Sequence, residues 1–288
     1  MKKKDPDPPQ VYVVGAKQAV PEKSDGRKKD GLERRQRICE LLLGRGHVDV
    51  NELARQLGAT PATVRRDLEK LEAEGAARRV HGGAYPGSTN GGVEVEFSLR
   101  MNFHTEAKRR IAARAAALIK NGETVYLDAG TTAFMVAQEL VGRSSLAVVT
   151  NSLAAAEVLR TARGITLFVV GGRYLTHTRS LIGPTAEEAI CSFQFRKMIL
   201  GTAGIDYKNQ ALTQSAMEEV PIKRAAMSRS EQIILVADHS KFGRPTLISM
   251  IPLAGVHTVI TDSAPPEGAA AVLRDLNIEL VTVVPPTD

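Results

Sequence analysis

Seven short apolar runs, separated by helical or loop-like stretches, constrain the fold of this chain more than any other feature of its sequence. They occupy residues 124–127, 146–149, 165–170, 197–200, 233–236, 257–260 and 280–284. Each run has the length of a strand, and strands that alternate with helices form a parallel sheet buried between helices. We therefore predict an α/β domain with a mostly parallel sheet over residues 94–288.

The charge distribution separates the first 85 residues from the rest of the chain. These residues hold 18 of the 38 Lys and Arg but 13 of the 32 Asp and Glu, which is five of the six net positive charges. A basic segment attached to a nearly neutral domain is typical of a chain in which one part meets a polyanion. The alternative interpretation is an ordinary solvated basic surface.

Composition also marks the segments outside the predicted domains. Residues 1–30 mix lysines with prolines, so we expect a disordered basic tail, and residues 86–93 are a linker rich in Gly, Ser and Asn. No run approaches the roughly 18 apolar residues that a membrane span needs. Cys39 and Cys191 lack metal-binding spacing. We expect a cytoplasmic protein with no membrane contact, no metal and no cofactor.

Residues 31–85 carry three short helical patterns. The second begins at Asp49, which forms a capping box with Glu52, and the third begins at Thr60 followed by Pro61. These two helices and the tight glycine turn between them have the form of a helix-turn-helix, and the basic segment 78–83 resembles a wing. The sequence predicts a winged helix-turn-helix domain over residues 31–85.

The third helix is the candidate reader of DNA. Its apolar positions, Val64, Leu68 and Leu71, share one face and leave the N-terminal half outward. Arginines there can bind guanine edges or phosphates. An amphipathic surface helix with ordinary charges is the alternative. The residues predicted to contact DNA are Thr60, Pro61, Ala62, Thr63, Arg65, Arg66, Arg78, Arg79 and His81.

Small and polar residues follow several of the predicted strands. Asp128-Ala-Gly-Thr-Thr follows the first strand and opens a helix, and Thr150-Asn-Ser follows the second. An open parallel sheet binds ligands beyond the carboxyl ends of its strands, and a helix start offers amides to phosphate. One such motif alone is as often a plain strand-to-helix connection. Their recurrence at consecutive strand ends predicts a ligand pocket.

The segments Thr60-Pro-Ala-Thr-Val-Arg-Arg-Asp-Leu and Arg78-Arg-Val-His-Gly-Gly-Ala resemble the signature of the DeoR family of bacterial regulators. The resemblance implies a homo-oligomeric winged helix-turn-helix protein that binds double-stranded operator DNA and usually represses carbohydrate catabolic genes. It also implies an effector domain, similar in fold to ribose-5-phosphate isomerase and coenzyme A transferases, that senses a small phosphorylated sugar or sugar alcohol. The pocket residues that it implies are Asp128, Gly130, Thr131, Thr132, Thr150, Asn151, Gly172, Gly183, Asp206, Glu219, Lys223, Asp238 and Lys241.

Two positions depart from the family pattern. The family usually has a glycine before the Leu-Thr pair that here follows Asn209-Gln-Ala, and Pro221 interrupts the run that leads to Lys223. The departures concern the turn before Leu212 and the helix that carries Lys223.

Two other classes of function are compatible with parts of the sequence. Asp206, Glu219 and Lys223 can support proton transfer, as in an isomerase-like enzyme fused to a DNA-binding domain. Fold similarity to an isomerase does not transfer its chemistry, however. A nonspecific architectural nucleic-acid-binding protein fits the basic tail but leaves the α/β domain unexplained. We therefore expect a transcriptional regulator and not an enzyme.

Overall fold

The computed structural model describes residues 47–73, 76–86 and 97–284, and eight helical residues between positions 31 and 42. The basic tail expected at residues 1–30 lies outside the described residues, as does the expected linker after Pro86. Within the described ranges, no helix is long and apolar enough to cross a membrane.

The N-terminal unit is a small helical core closed by a three-stranded antiparallel sheet. Its helices are α1 (Val50–Gln56) and α2 (Pro61–Ala73), and its strands are β1 (Val48–Asp49), β2 (Ala77–Val80) and β3 (Gly83–Pro86). The strands pair in the order β1-β3-β2. Apolar side chains from the helices and the sheet share one core, which includes Ile38, Leu42, Leu53, Val64, Leu68 and Leu71. This is the predicted winged helix-turn-helix.

Local interactions fix the ends of its elements. Asp49 caps α1, because its Oδ1 accepts hydrogen bonds from the amides of Asn51 at 2.8 Å and Glu52 at 3.0 Å. The Glu52 carboxylate accepts a hydrogen bond from Gln56 Nε2 at 2.9 Å. A Cβ atom at Gly83 would lie 2.2 Å from the Val48 carbonyl oxygen. The wing therefore closes against β1 only because position 83 is glycine.

The larger unit is a parallel sheet of seven strands with helices on both faces. The strands are β4 (Thr124–Leu127), β5 (Leu146–Thr150), β6 (Ile165–Val169), β9 (Phe195–Leu200), β12 (Ser230–Val236), β14 (Thr258–Thr261) and β15 (Glu279–Thr282). The helices are α3 (Phe97–Asn102), α4 (Thr105–Ala117), α5 (Thr131–Leu140), α6 (Leu153–Leu159), α7 (Pro184–Cys191), α8 (Val220–Ser228) and α9 (Glu267–Asp275). The strand order is β15-β14-β12-β9-β4-β5-β6, and every neighbouring pair is parallel.

Successive residues of each central strand enter two different cores. In β4, Val125 and Leu127 pack with α4, α5 and α6, whereas Tyr126 packs with α7, α8 and α9. Strands buried on both faces have near-continuous apolar sequences. For this reason the apolar runs predicted all seven strands of the sheet.

In the described part of the larger unit, five antiparallel strands were not predicted from the sequence. β7 (Arg173–Leu175) pairs with β8 (Ser180–Ile182), and β10 (Gly204–Asp206), β11 (Ala211–Gln214) and β13 (Ile248–Pro252) form a second small sheet. They have three to five residues each and no clear period of two. Both additions pack apolar side chains on the core beneath α7 and α8. Tertiary contact therefore stabilises these strands where local pattern does not.

The two departures from the family pattern have local structural consequences. Gln210 adopts a φ of 51°, a left-handed conformation that favours glycine, in the turn between β10 and β11. Pro221 lies in the first turn of α8, where the missing amide hydrogen is not needed. The proline is therefore compatible with the start of the helix that carries Lys223 and does not interrupt this helix.

Asp67 holds α2 to the helical residues before it. Its Oδ2 accepts a hydrogen bond from Arg34 Nε at 2.6 Å, and its Oδ1 lies 3.6 Å from Arg35 Nη1. The Asp67 side chain is only 5 % exposed. The acid of the Arg-Arg-Asp-Leu motif is therefore a packing element, unlike the two arginines before it.

We predict that Asp67→Ala lowers the free energy of unfolding of the N-terminal unit by about 1–3 kcal/mol, because it leaves Arg34 without its buried carboxylate. Glu69→Ala is the matched control, since Glu69 forms an exposed ion pair with Arg79, and it should change stability by less than about 1 kcal/mol. Denaturant unfolding followed by circular dichroism measures both. Equal effects would show that Asp67 has no special structural role.

Candidate functional site

The exposed face of α2 follows from the burial of the opposite face. Val64, Leu68 and Leu71 are each at most 1 % exposed. Arg65 and Arg66 therefore point to solvent near the positive end of the helix dipole. Of the other predicted DNA contacts at this end, Thr60, Pro61 and Ala62 are exposed and Thr63 is half-buried. This surface presents cations and hydroxyls together.

The predicted contacts on the wing differ in their partners. Arg79 Nη1 lies 3.2 Å from Glu69 Oε1 and 3.9 Å from Glu72 Oε2, so Arg79 ties the wing to α2. The Arg78 guanidinium lies 5.8 Å from the centre of the exposed Tyr85 ring, and His81 is exposed in the turn between β2 and β3. Arg78 and His81 are therefore the wing side chains most accessible to a nucleic acid.

The strand order of the larger unit reverses between β4 and β9, and the predicted ligand crevice lies beyond the carboxyl ends of these two strands. From β4 the chain proceeds to β5 and β6 on one side, then returns to β9 and continues to β12, β14 and β15 on the other. Ligands of open α/β sheets bind at such a switch point, beyond the carboxyl ends of the strands. Asp128 follows β4 and Gly201 follows β9, and the Gly201 amide donates a hydrogen bond to Asp128 Oδ2 at 2.9 Å. Asp128 and Gly201 therefore meet at the switch point.

Buried charged residues form the floor of this crevice. Asp128 is 1 % exposed and pairs with Lys223, which is 2 % exposed and lies with its Nζ 3.4 Å from the Gly201 carbonyl oxygen. Burial raises the pKa of the Asp128 carboxyl, although Lys223 acts to lower it. Glu219 accepts a hydrogen bond from Gln214 Nε2. In the described part of the chain, Asp128 Oδ1 and Gln214 Oε1 are buried without a hydrogen-bond partner, so both can accept from a ligand hydroxyl.

The start of α5 borders the same crevice. Gly130 caps the helix with a φ of 139°, a conformation that glycine adopts readily. Thr131 and Thr132 occupy the first turn and are largely buried. The first amides of a ten-residue helix have no partner within the helix, and they favour an anion together with the helix dipole.

Five of the predicted pocket residues have structural roles within the protein. The Thr150 hydroxyl donates to the Leu127 carbonyl at 2.7 Å, and Asn151 Oδ1 accepts from the Tyr126 hydroxyl at 2.9 Å. A Cβ atom at Gly172 would lie 2.7 Å from the Ile182 carbonyl oxygen, and Gly183 caps α7 with a φ of 96°. Their contacts assign these four residues to the framework of the crevice.

Asp206 is the fifth of these residues. Its carboxylate accepts hydrogen bonds from the Asn209 amide at 3.1 Å and from Asn209 Nδ2 at 2.7 Å, which lower its pKa. Asp206 therefore stabilises the turn between β10 and β11.

A second charged cluster lies beyond the end of β12. Asp238 is 1 % exposed, and its Oδ1 accepts hydrogen bonds from the Ser240 amide at 3.0 Å and from the Ser240 hydroxyl. Although burial acts to raise its pKa, the charge of Lys241 and the Ser240 hydroxyl hold the pKa of Asp238 at about 2. Asp238 is therefore ionised. Lys241 is half-buried, and burial lowers its pKa.

Lys108 of α4 also belongs to this cluster, and sequence reasoning missed it. It is 3 % exposed and donates a hydrogen bond to the Arg100 carbonyl oxygen. Burial lowers its pKa to about 7, and the charge of Asp238 acts to raise it. The sequence does carry a signal, because Lys108 falls on the same helix face as the buried Ile111 and Ala115. A lysine within the apolar face of a helix thus indicates a buried cationic side chain.

Neither Lys108 nor Lys241 has a close carboxylate partner. Among the described residues, no carboxylate oxygen lies within 4 Å of either ammonium group. The cluster thus holds two lysine amines without a direct carboxylate contact among the described residues. Nowhere in the described ranges are His, Cys, Asp or Glu side chains grouped as a metal site requires.

Comparison with known proteins identifies the domain families of both units. Residues 34–89 match the DeoR-like helix-turn-helix domain, and residues 103–263 match the DeoR C terminal sensor domain. The chain is 36 % identical over 248 residues to the glycerol-3-phosphate regulon repressor of Escherichia coli (strain K12), covering 86 % of this chain and 97 % of that repressor. It is also 36 % identical over 231 residues to the transcriptional repressor AccR of Agrobacterium fabrum, covering 80 % and 89 %.

Among solved structures, ribose 5-phosphate isomerase A from Methanocaldococcus jannaschii aligns with 49 % of this chain and 55 % of its own. The TM-score is 0.38 at 15 % identity, a likeness too partial to bear on function. The two domain matches and the full-length relatives together identify the family. The chain belongs to the DeoR family of transcriptional regulators.

Proposed function

We propose that this regulator is a repressor of carbohydrate genes and that a small phosphorylated sugar or sugar alcohol, bound at the carboxyl ends of the sheet, controls it. The observation that carries the proposal is the complementarity of the crevice to such a molecule. The Lys241 ammonium and the start of α5 suit a phosphate. The buried oxygens of Asp128 and Gln214 that lack donors suit hydroxyls.

The DNA-binding role is supported by the exposed cations of α2 and the wing. Arg65 and Arg66 lie in the N-terminal half of α2, and α2 corresponds to the helix that enters the major groove in helix-turn-helix proteins. One such domain buries too little surface for operator specificity, so we also propose a homo-oligomer that reads paired half-sites. The names of the relatives support repression, and the proposed compartment is the cytoplasm.

The isomerase-like alternative is not favoured. It requires Asp206, Glu219 and Lys223 to act together on a bound sugar phosphate. In the structure Asp206 is bonded to Asn209 in a turn, Glu219 is bonded to Gln214, and Lys223 is paired with Asp128. Each of the three groups is engaged by a partner within the protein, which does not favour their joint action on a substrate.

Thermal unfolding with a panel of small molecules tests the effector class. Glycerol 3-phosphate and several sugar phosphates are compared with their unphosphorylated parents and with inorganic phosphate. A ligand at a hundred times its dissociation constant stabilises the protein by about 2.7 kcal/mol. We expect stabilisation by at least one phosphorylated compound and not by its parent. Stabilisation by unphosphorylated sugars alone would contradict the proposal.

The first functional prediction concerns α2. Arg65→Ala and Arg66→Ala should each weaken operator binding by about 1–3 kcal/mol, and the unfolding transition should not change because both side chains are exposed. Lys70→Ala, exposed near the other end of α2, is the control and should have a smaller effect. Gel shifts use a DNA fragment that wild type selects from a random pool. Wild-type binding by both arginine variants would exclude this helix as the reader.

The second functional prediction concerns the pocket. Lys241→Ala, and separately the pair Thr131→Ala with Thr132→Ala, should bind DNA normally but not release it with the phosphorylated effector. A ligand shifts a two-state protein only through contacts that differ between the states, and these variants lose the phosphate contacts. Lys208→Ala, at an exposed turn lysine, is the control. Normal release from the Lys241 and threonine variants would remove these residues from the pocket.

A further inference from the structure

The segment 97–108, called here the connecting segment, touches both units of the protein. It comprises α3, a short turn and the first residues of α4, and it is the first described part of the chain after β3. Phe103 packs against the core of the N-terminal unit. Met101 packs against the core of the larger unit, and the Phe97 ring meets the Phe134 ring edge-on at 5.7 Å. The segment is therefore a physical link between the two cores.

The same segment supplies side chains to the cluster at the end of β12. Lys108 approaches Asp238 and Lys241, as their mutual electrostatic effects show. The His104 ring lies 4.7 Å from the His239 ring, and Asp262 holds His239 by bonds to its amide at 2.7 Å and to its Nδ1 at 2.8 Å. His104 of the connecting segment therefore lies against His239, next to Asp238, and the charges of Arg100 and Asp238 act on both Lys108 and Lys241.

Two other buried lysines of the larger unit have a carboxylate partner, which Lys108 lacks among the described residues. Lys197 pairs with Glu123, and Lys223 pairs with Asp128. Lys108 is equally buried, but within the described ranges its ammonium donates only to a neutral carbonyl oxygen, that of Arg100. Burial of a cation is costly unless an anion compensates it. Asp238 acts on Lys108 without direct contact, and a phosphate beside Lys108 and Lys241 would supply an anion that touches both.

Resting on the proposed function, we propose that Lys108 is a further phosphate ligand of the effector, and that the connecting segment transmits phosphate binding to the DNA-binding unit through Phe103. Backbone geometry supports the coupling. The Phe103 amide donates to the Arg100 carbonyl at 3.3 Å, which is the carbonyl that Lys108 also binds. When the Lys108 ammonium turns from this carbonyl to a phosphate, the Arg100 carbonyl that accepts from the Phe103 amide loses its hydrogen bond from Lys108.

The first arm of the test measures binding at Lys108. Inorganic phosphate and glycerol 3-phosphate are titrated against the full chain, with sodium chloride of equal ionic strength as reference. Lys108→Met should weaken phosphate binding about tenfold or more, since a charge-assisted hydrogen bond is lost. Its melting temperature without ligand should rise, because a buried cation with a lowered pKa is replaced by an apolar side chain. Wild-type phosphate affinity in this variant would overturn the proposal.

Lys197→Met is the matched control for the first arm. It removes an equally buried lysine at the far end of the sheet and leaves Glu123 without its partner. We expect a lower melting temperature and wild-type phosphate affinity. If Lys197→Met weakened phosphate binding as much as Lys108→Met, the effect would be general destabilisation, and the assignment of Lys108 would be wrong.

The second arm measures transmission. Phe103→Ala should bind phosphate as wild type does, while the ratio of DNA affinities without and with effector falls toward one. Met101→Ala is the control, because Met101 is in the same segment but packs on the other core. It should keep the wild-type ratio. A wild-type ratio in Phe103→Ala would overturn the role of the connecting segment.

The failures of the two proposals are distinguishable. If Lys241→Ala loses phosphate binding and Lys108→Met keeps it, only the inference on Lys108 is wrong. If the Lys241, threonine and Lys108 variants all bind phosphate like wild type, the pocket of the proposed function is itself misplaced.

Discussion

Burial of charge at one edge of the sheet is the constraint on which the rest of this protein depends. Seven parallel strands, covered on both faces, end at the same edge, so the polar residues that follow them are brought together there. The reversal of strand order between β4 and β9 puts the switch point, where open sheets bind ligands, among these residues. Burial of a charge is costly unless the charge is paired, so the presence or absence of a partner determines what each residue can do.

Two kinds of buried cation result. Lys223 is paired with Asp128, so its charge is compensated within the protein, and among the described residues one buried oxygen of Asp128 keeps no hydrogen-bond partner. Lys108 and Lys241 lack such a partner among the described residues, and burial lowers the pKa of both. An anion that binds these two lysines stabilises their charged form, so the protein is more stable with the anion than without it. That difference in free energy is what a sensor needs to couple binding to a change of state.

In the N-terminal unit, by contrast, the buried charge is paired and serves the packing of helices. Asp67 is buried and bonded to Arg34, so this charge is used to hold helices together. Arg65 and Arg66, its neighbours in sequence, are exposed because α2 buries Val64, Leu68 and Leu71 on its other face. A single motif is thereby divided between packing and recognition. Arg79 shows the same division on the wing, where Glu69 and Glu72 engage it.

The sequence by itself determined the elements whose signals are local. Apolar runs predicted the seven parallel strands because burial on both faces leaves no polar positions, and the capping residues Asp49 and Thr60 located the starts of two helices. Only the tertiary structure decided which polar residues remain available. Asp206 matches the pocket motif, but its carboxylate is hydrogen-bonded to Asn209. Lys108 matches no motif, but the fold brings it within the electrostatic influence of Asp238, which is distant in the sequence. The reason is physical: hydrogen-bond satisfaction and desolvation depend on neighbours in space, which local periodicity does not encode.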